Sequence, residues 1–195
     1  MDTLAEPTSS PQAARTRLLA DLRAQALLIG EVTLTSGRRA QYYVDAKRAI
    51  LLPGTFAAIG TLVADRVHAW RASAVGGVPV SAIPVACAAL AAGVPKAFIV
   101  RKERKEHGLQ RWIEGPELAP GERCVIVEDV VTTGGSTIEA LERARSEGLT
   151  VVGVVSVLDR LAGGAQAIRA ALGEGRGEYV ALTTIDEIYP QRPDR

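Results

Sequence analysis

Residues 123–137 read R-C-V-I-V-E-D-V-V-T-T-G-G-S-T, and their reading decides the fold. Cys124, Val125, Ile126 and Val127 form an unbroken apolar, β-branched run, the mark of a strand buried on both faces of a parallel sheet. Two carboxylates, Glu128 and Asp129, stand where that run ends. Thr132, Thr133, Gly134, Gly135 and Ser136 follow, and helical spacing then begins with Ile138, Leu141 and Ala144. The order is strand, acidic pair, small-residue loop, helix. In open α/β sheets ligands bind outside the carboxyl ends of strands, against the N-termini of the next helices.

The loop chemistry points to a phosphate. Turn N–H groups, the hydroxyls of Thr132, Thr133 and Ser136, and a helix N-terminus together make an anion cradle. The loop carries no lysine, so it is not the G-x-x-x-x-G-K-[ST] nucleotide loop, and G-x-G-x-x-G is absent. A lysine-free cradle suits a phosphate monoester, and two carboxylates beside it suit hydroxyls or a magnesium-bound ligand. A phosphorylated sugar meets both demands.

Working outward, residues 12–28 place Leu18, Leu22 and Ala26 on one face, an amphipathic helix. Residues 30–45 read as two short strands around a Ser-Gly turn, and 53–70 as a helix opened by Pro53. A core strand is expected at 74–78, a loop through Val80 and Ser81, and a helix over 83–92. Further strands are expected at 97–100, 151–158 and 179–183, with helices at 137–147 and 162–172. Within 101–108 (R-K-E-R-K-E-H-G) six of eight residues are charged. Such a run is ordinarily a solvated loop. Beside a polyphosphate and an acidic pair it is also the available source of positive charge.

The chain of 195 residues has 47% hydrophobic and 23% charged residues, enough for one soluble domain with a real core. A net charge of +1 gives no argument for nucleic acid or an anionic membrane. Residues 72–95 carry no charge, but Pro79, Pro84 and Pro95 break any spanning helix there. The N-terminus lacks a basic start and an apolar core, so no export leader is expected. Cys87 and Cys124 read as small buried hydrophobes in a reducing, cytoplasmic setting.

The string V-I-V-E-D-V-V-T-T-G-G-S-T resembles the phosphoribosyl pyrophosphate (PRPP) motif of type I phosphoribosyltransferases. L-T-S-G-R-x-x-x-Y-Y-V-D, R-K-x-x-K-x-H-G and the V-x-D-R strand end, in this order around it, resemble the orotate phosphoribosyltransferase family. The resemblance implies an α/β fold with a central parallel sheet of about five strands flanked by helices, and a small N-terminal hood. The hood would span about 12–50 and the core about 53–185 of one domain.

By that resemblance, Glu128 and Asp129 hold the ribose hydroxyls, and 132–136 wrap the 5-phosphate. PRPP contacts fall on Arg101, Lys102, Lys105, His107, Glu128, Asp129, Val130, Val131, Thr132, Thr133, Gly134, Gly135 and Ser136. Lys105, His107 and Asp129 are the expected catalytic residues, and Thr132 and Arg160 the expected orotate contacts. No protein ligand set for a metal is expected, since Mg2+ would be held mainly through PRPP and water. A homodimer with shared sites is implied, with the basic loop reaching partly across the interface.

Two family lysines are replaced, by Thr35 and by Ser81. The alternatives are a purine phosphoribosyltransferase, which the His-Gly loop ending, the hairpin and Arg160 disfavour, and a PRPP-sensing regulator, which lacks a recognition element.

Overall fold

The computed structural model describes residues 10–33, 39–103 and 111–194. Ser10 caps the first helix, α1 (Pro11–Asp21), its hydroxyl accepting from the Ala13 N–H at 3.2 Å, with Pro11 in the first turn. A π-helical turn, Leu22–Ala26, continues it. The chain then extends into β1 (Leu27–Thr33), which pairs antiparallel with β2 (Arg39–Val44). The helix expected over 12–28 therefore ends two residues early. Leu27 and Leu28 are apolar, fit either period, and are claimed by pairing with Val44 and Tyr43. The hairpin forms as expected, although the Ser-Gly turn lies outside the described residues.

A short helix, α2 (Lys47–Ile50), and the long α3 (Pro53–Ala69) lead into the core. There β3 (Ala74–Gly77), α4 (Ala82–Ala91) and β4 (Lys96–Val100) alternate. After β5 (Ile113–Glu114) come β6 (Arg123–Val131), α5 (Gly135–Ser146), β7 (Thr150–Asp159), α6 (Gly164–Leu172), β8 (Glu178–Thr184) and α7 (Ile185–Ile188). The sheet has six strands in the order β5-β4-β3-β6-β7-β8. Five are parallel, and β5 adds an antiparallel edge against Ile99 and Val100. This short edge, not among the strands expected from the sequence, accounts for the sixth strand.

Alternation along the strands builds the two faces. Val125 and Val127 of β6 join Val75, Val155 and the buried faces of α1, α3 and α4. Cys124 and Ile126 point the other way, joining Phe98, Val154 and the buried faces of α5 and α6. Burial on both sides explains why the strands read as unbroken apolar runs. Cys124 is buried as expected, and burial pushes its thiol up to about 12. Cys87 is exposed, against expectation: it lies on the outer face of α4, among alanines that mark no side.

Strand order reverses at β3 and β6. From β3 the chain moves outward to β4 and β5, then returns to the other side of β3 to lay down β6, β7 and β8. Ligands of open α/β sheets bind at such a switch point. The turns after β3 and β6 flank it. Among the described residues no helix is long and apolar enough to cross a membrane.

Candidate active site

The acidic pair sits inside β6, not beyond it. The strand continues to Val131, because Glu128, Val130 and Val131 pair with Ser156, Leu158 and Asp159 of β7. Glu128 and Asp129 are each only 6% exposed. Burying carboxylates is costly unless they are hydrogen-bonded, and here both are. Glu128 Oε2 accepts from Ser136 Oγ at 3.0 Å and from Thr137 Oγ1 at 3.2 Å. Asp129 Oδ1 accepts from the Val130 N–H at 2.7 Å. The first of these contacts ties the acid to the first turn of α5, so pair and cradle are held as one unit.

Burial and the mutual repulsion of the two acids push Glu128 up to about 7. Asp129 is also raised by burial, against the opposing pull of the Val130 N–H and of Lys47. Lys47 comes from α2, its Nζ 3.9 Å from Asp129 Oδ2 and 3.3 Å from Asp45 Oδ1. It is a cation at the acidic pair that the sequence reading missed. Its signal was present in Y-Y-V-D-A-K, but nothing local places that lysine against a strand 82 positions later.

The cradle is open. Thr132, Thr133, Gly135 and Ser136 are exposed around a buried Gly134. Gly134 turns the chain into α5 with φ +83°, a left-handed conformation that favours glycine. Gly164 locks the turn from behind by donating its N–H to the Thr132 carbonyl at 3.0 Å. A Cβ at Gly164 would lie 2.5 Å from Val131 Cγ1 and 2.6 Å from that same oxygen. Val131 itself is core: its side chain is buried, and its carbonyl accepts from the Arg160 N–H at 2.8 Å.

Across the switch point, a cavity of about 440 Å³ joins Pro79 and Val80 of the β3–α4 turn to Ile99, Arg101, Lys102, Glu103 and Glu114. Arg101 pairs with Glu114, and its Nε donates to the Glu103 carbonyl at 3.1 Å. Lys102 is exposed. Arg143 supports this corner, donating to the Arg101 carbonyl at 2.9 Å and stacking 4.5 Å above the Trp112 ring. Lys105 and His107 lie outside the described residues.

At the end of β7, Asp159 and Arg160 do not pair with each other. Asp159 is buried, accepting from the Leu161 N–H at 2.7 Å and from the Tyr179 hydroxyl at 3.0 Å. This leaves Arg160 for the hood, where its Nη2 donates to the Tyr42 hydroxyl at 3.0 Å. Its guanidinium also lies 5.0 Å from the centroid of the Tyr42 ring. Among the described residues its buried Nε has no hydrogen-bond partner.

Residues 52–168 match the model of the phosphoribosyl transferase domain. With that match over more than half its length, the chain belongs to the phosphoribosyltransferase family. Relatives that match it over most of their own length include orotate phosphoribosyltransferases. That of Corynebacterium glutamicum (strain R) is 43% identical over 159 residues, covering 80% of this chain and 86% of the relative. That of Sorangium cellulosum is 41% identical over 186 residues, covering 92% and 95%. Among solved structures, the Mycobacterium tuberculosis orotate phosphoribosyltransferase in complex with PRPP superposes with a TM-score of 0.74 at 38% identity, covering 90% of this chain and 98% of that one.

Proposed function

We propose that this protein transfers the 5-phosphoribosyl group of PRPP to orotate, giving orotidine 5-monophosphate and pyrophosphate, a step of pyrimidine (UMP) biosynthesis. The observation that carries this reading is the buried Glu128–Asp129 pair, whose Glu128 is hydrogen-bonded to the first turn of the helix that follows the cradle. Carboxylates at that place accept hydrogen bonds from the two ribose hydroxyls, while the 132–136 backbone receives the 5-phosphate. The anomeric carbon is thereby set at the switch point, with the pyrophosphate toward Val80 and Arg101. Orotate's arginine partner is Arg160, which retains an unpartnered buried donor.

As the ring nitrogen of orotate bonds to the anomeric carbon, its N–H proton passes to water or to an oxygen of the departing pyrophosphate, so no strong general base of the protein is required. The C–O bond to pyrophosphate breaks through an oxocarbenium-like state. The pair, the cradle and Arg160 contribute positioning, and the cations of 101–107 offset charge on the departing pyrophosphate. Lys105 and His107 are assigned there by their places in R-K-x-x-K-x-H-G.

The donor set fits Mg2+ held through substrate. The acidic pair offers hard oxygen ligands, but no cluster of three or more metal-ligating side chains occurs among the described residues. Glu128 and Asp129 would hold the ion through water and the ribose hydroxyls. Magnesium, when bound, supplies neutralisation of the pyrophosphate oxygens. The protein works in the cytoplasm as a homodimer, with part of the basic loop serving the partner's site.

The test is pyrophosphate release from PRPP and Mg2+ with orotate, adenine, hypoxanthine or uracil as acceptor. Orotate is expected to be used and the other three not. Faster turnover with a purine would overturn the assignment.

A further inference from the structure

Tyr42 stands between Arg160 and the C-terminal segment. Its hydroxyl carries one proton and takes part in contacts on two sides. It accepts from Arg160 Nη2 at 3.0 Å and donates to the Asp194 carboxylate, both oxygens of which lie at 3.0 Å. The Tyr42 ring is nearly buried, with the Arg160 guanidinium over its face and Tyr189 against it edge-on, centroids 5.3 Å apart. Asp194 is itself fixed: Arg192 Nη1 donates to its Oδ1 at 3.0 Å, and Arg192 Nε donates to Asp186 Oδ1 at 2.7 Å, just after β8. A continuous polar chain thus runs from α7 through Arg192, Asp194 and Tyr42 to Arg160.

From this geometry we infer that Tyr42 and Asp194 are positioning residues for the base, holding Arg160 in the one orientation that presents its free donors to the orotate carboxylate. The inference rests on the reading of Arg160 as the orotate contact. An arginine at a strand end otherwise spreads over many rotamers, and that freedom is lost on binding. Here one face of the guanidinium is covered by the Tyr42 ring and one Nη2 donor is spent on its hydroxyl. Asp194 sets the direction of that hydroxyl: by taking the phenolic proton, it turns the oxygen's lone pairs to Arg160. The buried Nε, without a partner among the described residues, is left for the ligand. Base selection then depends on a residue of the hairpin and one of the C-terminal segment, 152 positions apart in the chain.

The experiment measures orotate and PRPP saturation for Tyr42→Phe, Asp194→Ala, Asp194→Glu, Arg160→Ala and the double variant Tyr42→Phe/Arg160→Ala. Tyr42→Phe removes one oxygen and keeps the ring, so it tests the relay even if Asp194→Ala folds poorly. Tyr42→Phe and Asp194→Ala are expected to raise the orotate KM about three- to tenfold, the scale of one hydrogen bond, with kcat and the PRPP KM little changed. Asp194→Glu should recover part of the loss. In the Arg160→Ala background the Tyr42→Phe effect should vanish, as it must if the hydroxyl acts through the guanidinium. An unchanged orotate KM in Tyr42→Phe and Asp194→Ala, beside a raised one in Arg160→Ala, overturns the relay while leaving Arg160 at the base. Additive losses in the double variant overturn it too. An unchanged orotate KM in Arg160→Ala removes Arg160 from the base site and the relay with it.

Discussion

Lys47 Nζ lies 3.9 Å from Asp129 Oδ2, so a helix of the N-terminal region supplies a cation to an acidic pair whose own loop has none. Burial disfavours the charged lysine, yet the attraction of Asp129 and Asp45 prevails and raises it. Reciprocally, Lys47 opposes the burial that raises Asp129.

Replacing Lys47 with methionine should therefore move Asp129 further up. An ionised pair is the better acceptor for ribose hydroxyls, so the acid limb of kcat/KM for PRPP is expected to shift to higher pH. The measurement is a pH profile from about 5.5 to 9, with Lys47→Arg as the charge-keeping control. Lys47 is 44% exposed, so solvent screens the effect, and an acid limb that stays in place would show that screening wins.

Glu128 gives a prediction for stability. Its folded pKa, about 7, lies above the ordinary carboxylate value of 4.5, so the folded protein binds its proton more tightly than the unfolded chain. Stability on this account is full below about 4.5 and declines as pH rises to about 7. Glu128→Gln removes the decline while leaving acceptor and donor groups for Ser136 and Thr137. The variant should gain on the native protein between pH 5 and pH 8, by at most about 3 kcal/mol, or several degrees in Tm. PRPP binding should weaken at the same time, since one acceptor carboxylate is gone. Equal pH slopes in thermal melts of the two proteins would refute the buried-charge account.

The glycines behind and within the cradle should separate fold from function. Gly164→Ala places a methyl against Val131 Cγ1 and the Thr132 carbonyl. It is expected to cost about 1–3 kcal/mol through overpacking and to raise the PRPP KM by displacing the turn. A methyl at Gly135 would meet no other atom within 4 Å. Gly135→Ala should leave Tm nearly unchanged and affect only PRPP affinity, because the added methyl meets the ligand alone. Melting curves with PRPP saturation check both. A stability loss in Gly135→Ala, or none in Gly164→Ala, contradicts the packing described.

Much of this site was legible because its chemistry is contiguous. Residues 123–137 carry the strand, the acidic pair and the cradle in one run, so local reading found them with only the strand end misplaced. Glu128 and Asp129 looked like a strand terminus because charge is disfavoured in a buried strand; the hydroxyls of Ser136 and Thr137 and the pairing with β7 remove that objection. Lys47 and the Tyr42–Asp194 contact were not legible, since each joins residues far apart in sequence through tertiary placement alone. Cys87 was misread because an alanine-rich helix gives little contrast between its inner and outer faces. The short helices α2 and α7 escaped for another reason: four residues hold too few periods to signal.

The last prediction concerns assembly. The basic loop supplies Lys105 and the acidic pair supplies Glu128 and Asp129, and in the proposed dimer these two parts of one site come from different subunits. Lys105→Ala should lower turnover by orders of magnitude, because its charge meets pyrophosphate mainly in the transition state. The Glu128→Ala, Asp129→Ala double variant should be inactive through loss of the ribose acceptors. A hybrid of the two carries both lesions in one of its composite sites and neither in the other. Mixing the two inactive proteins under conditions of subunit exchange should then restore activity, approaching a quarter of the native rate for random exchange at equal amounts, since half the dimers are hybrids and each has one intact site. Exchange is followed independently with differently tagged subunits. If tagged hybrids form and the mixture stays inactive, each subunit completes its own site and Lys105 serves the chain that carries it.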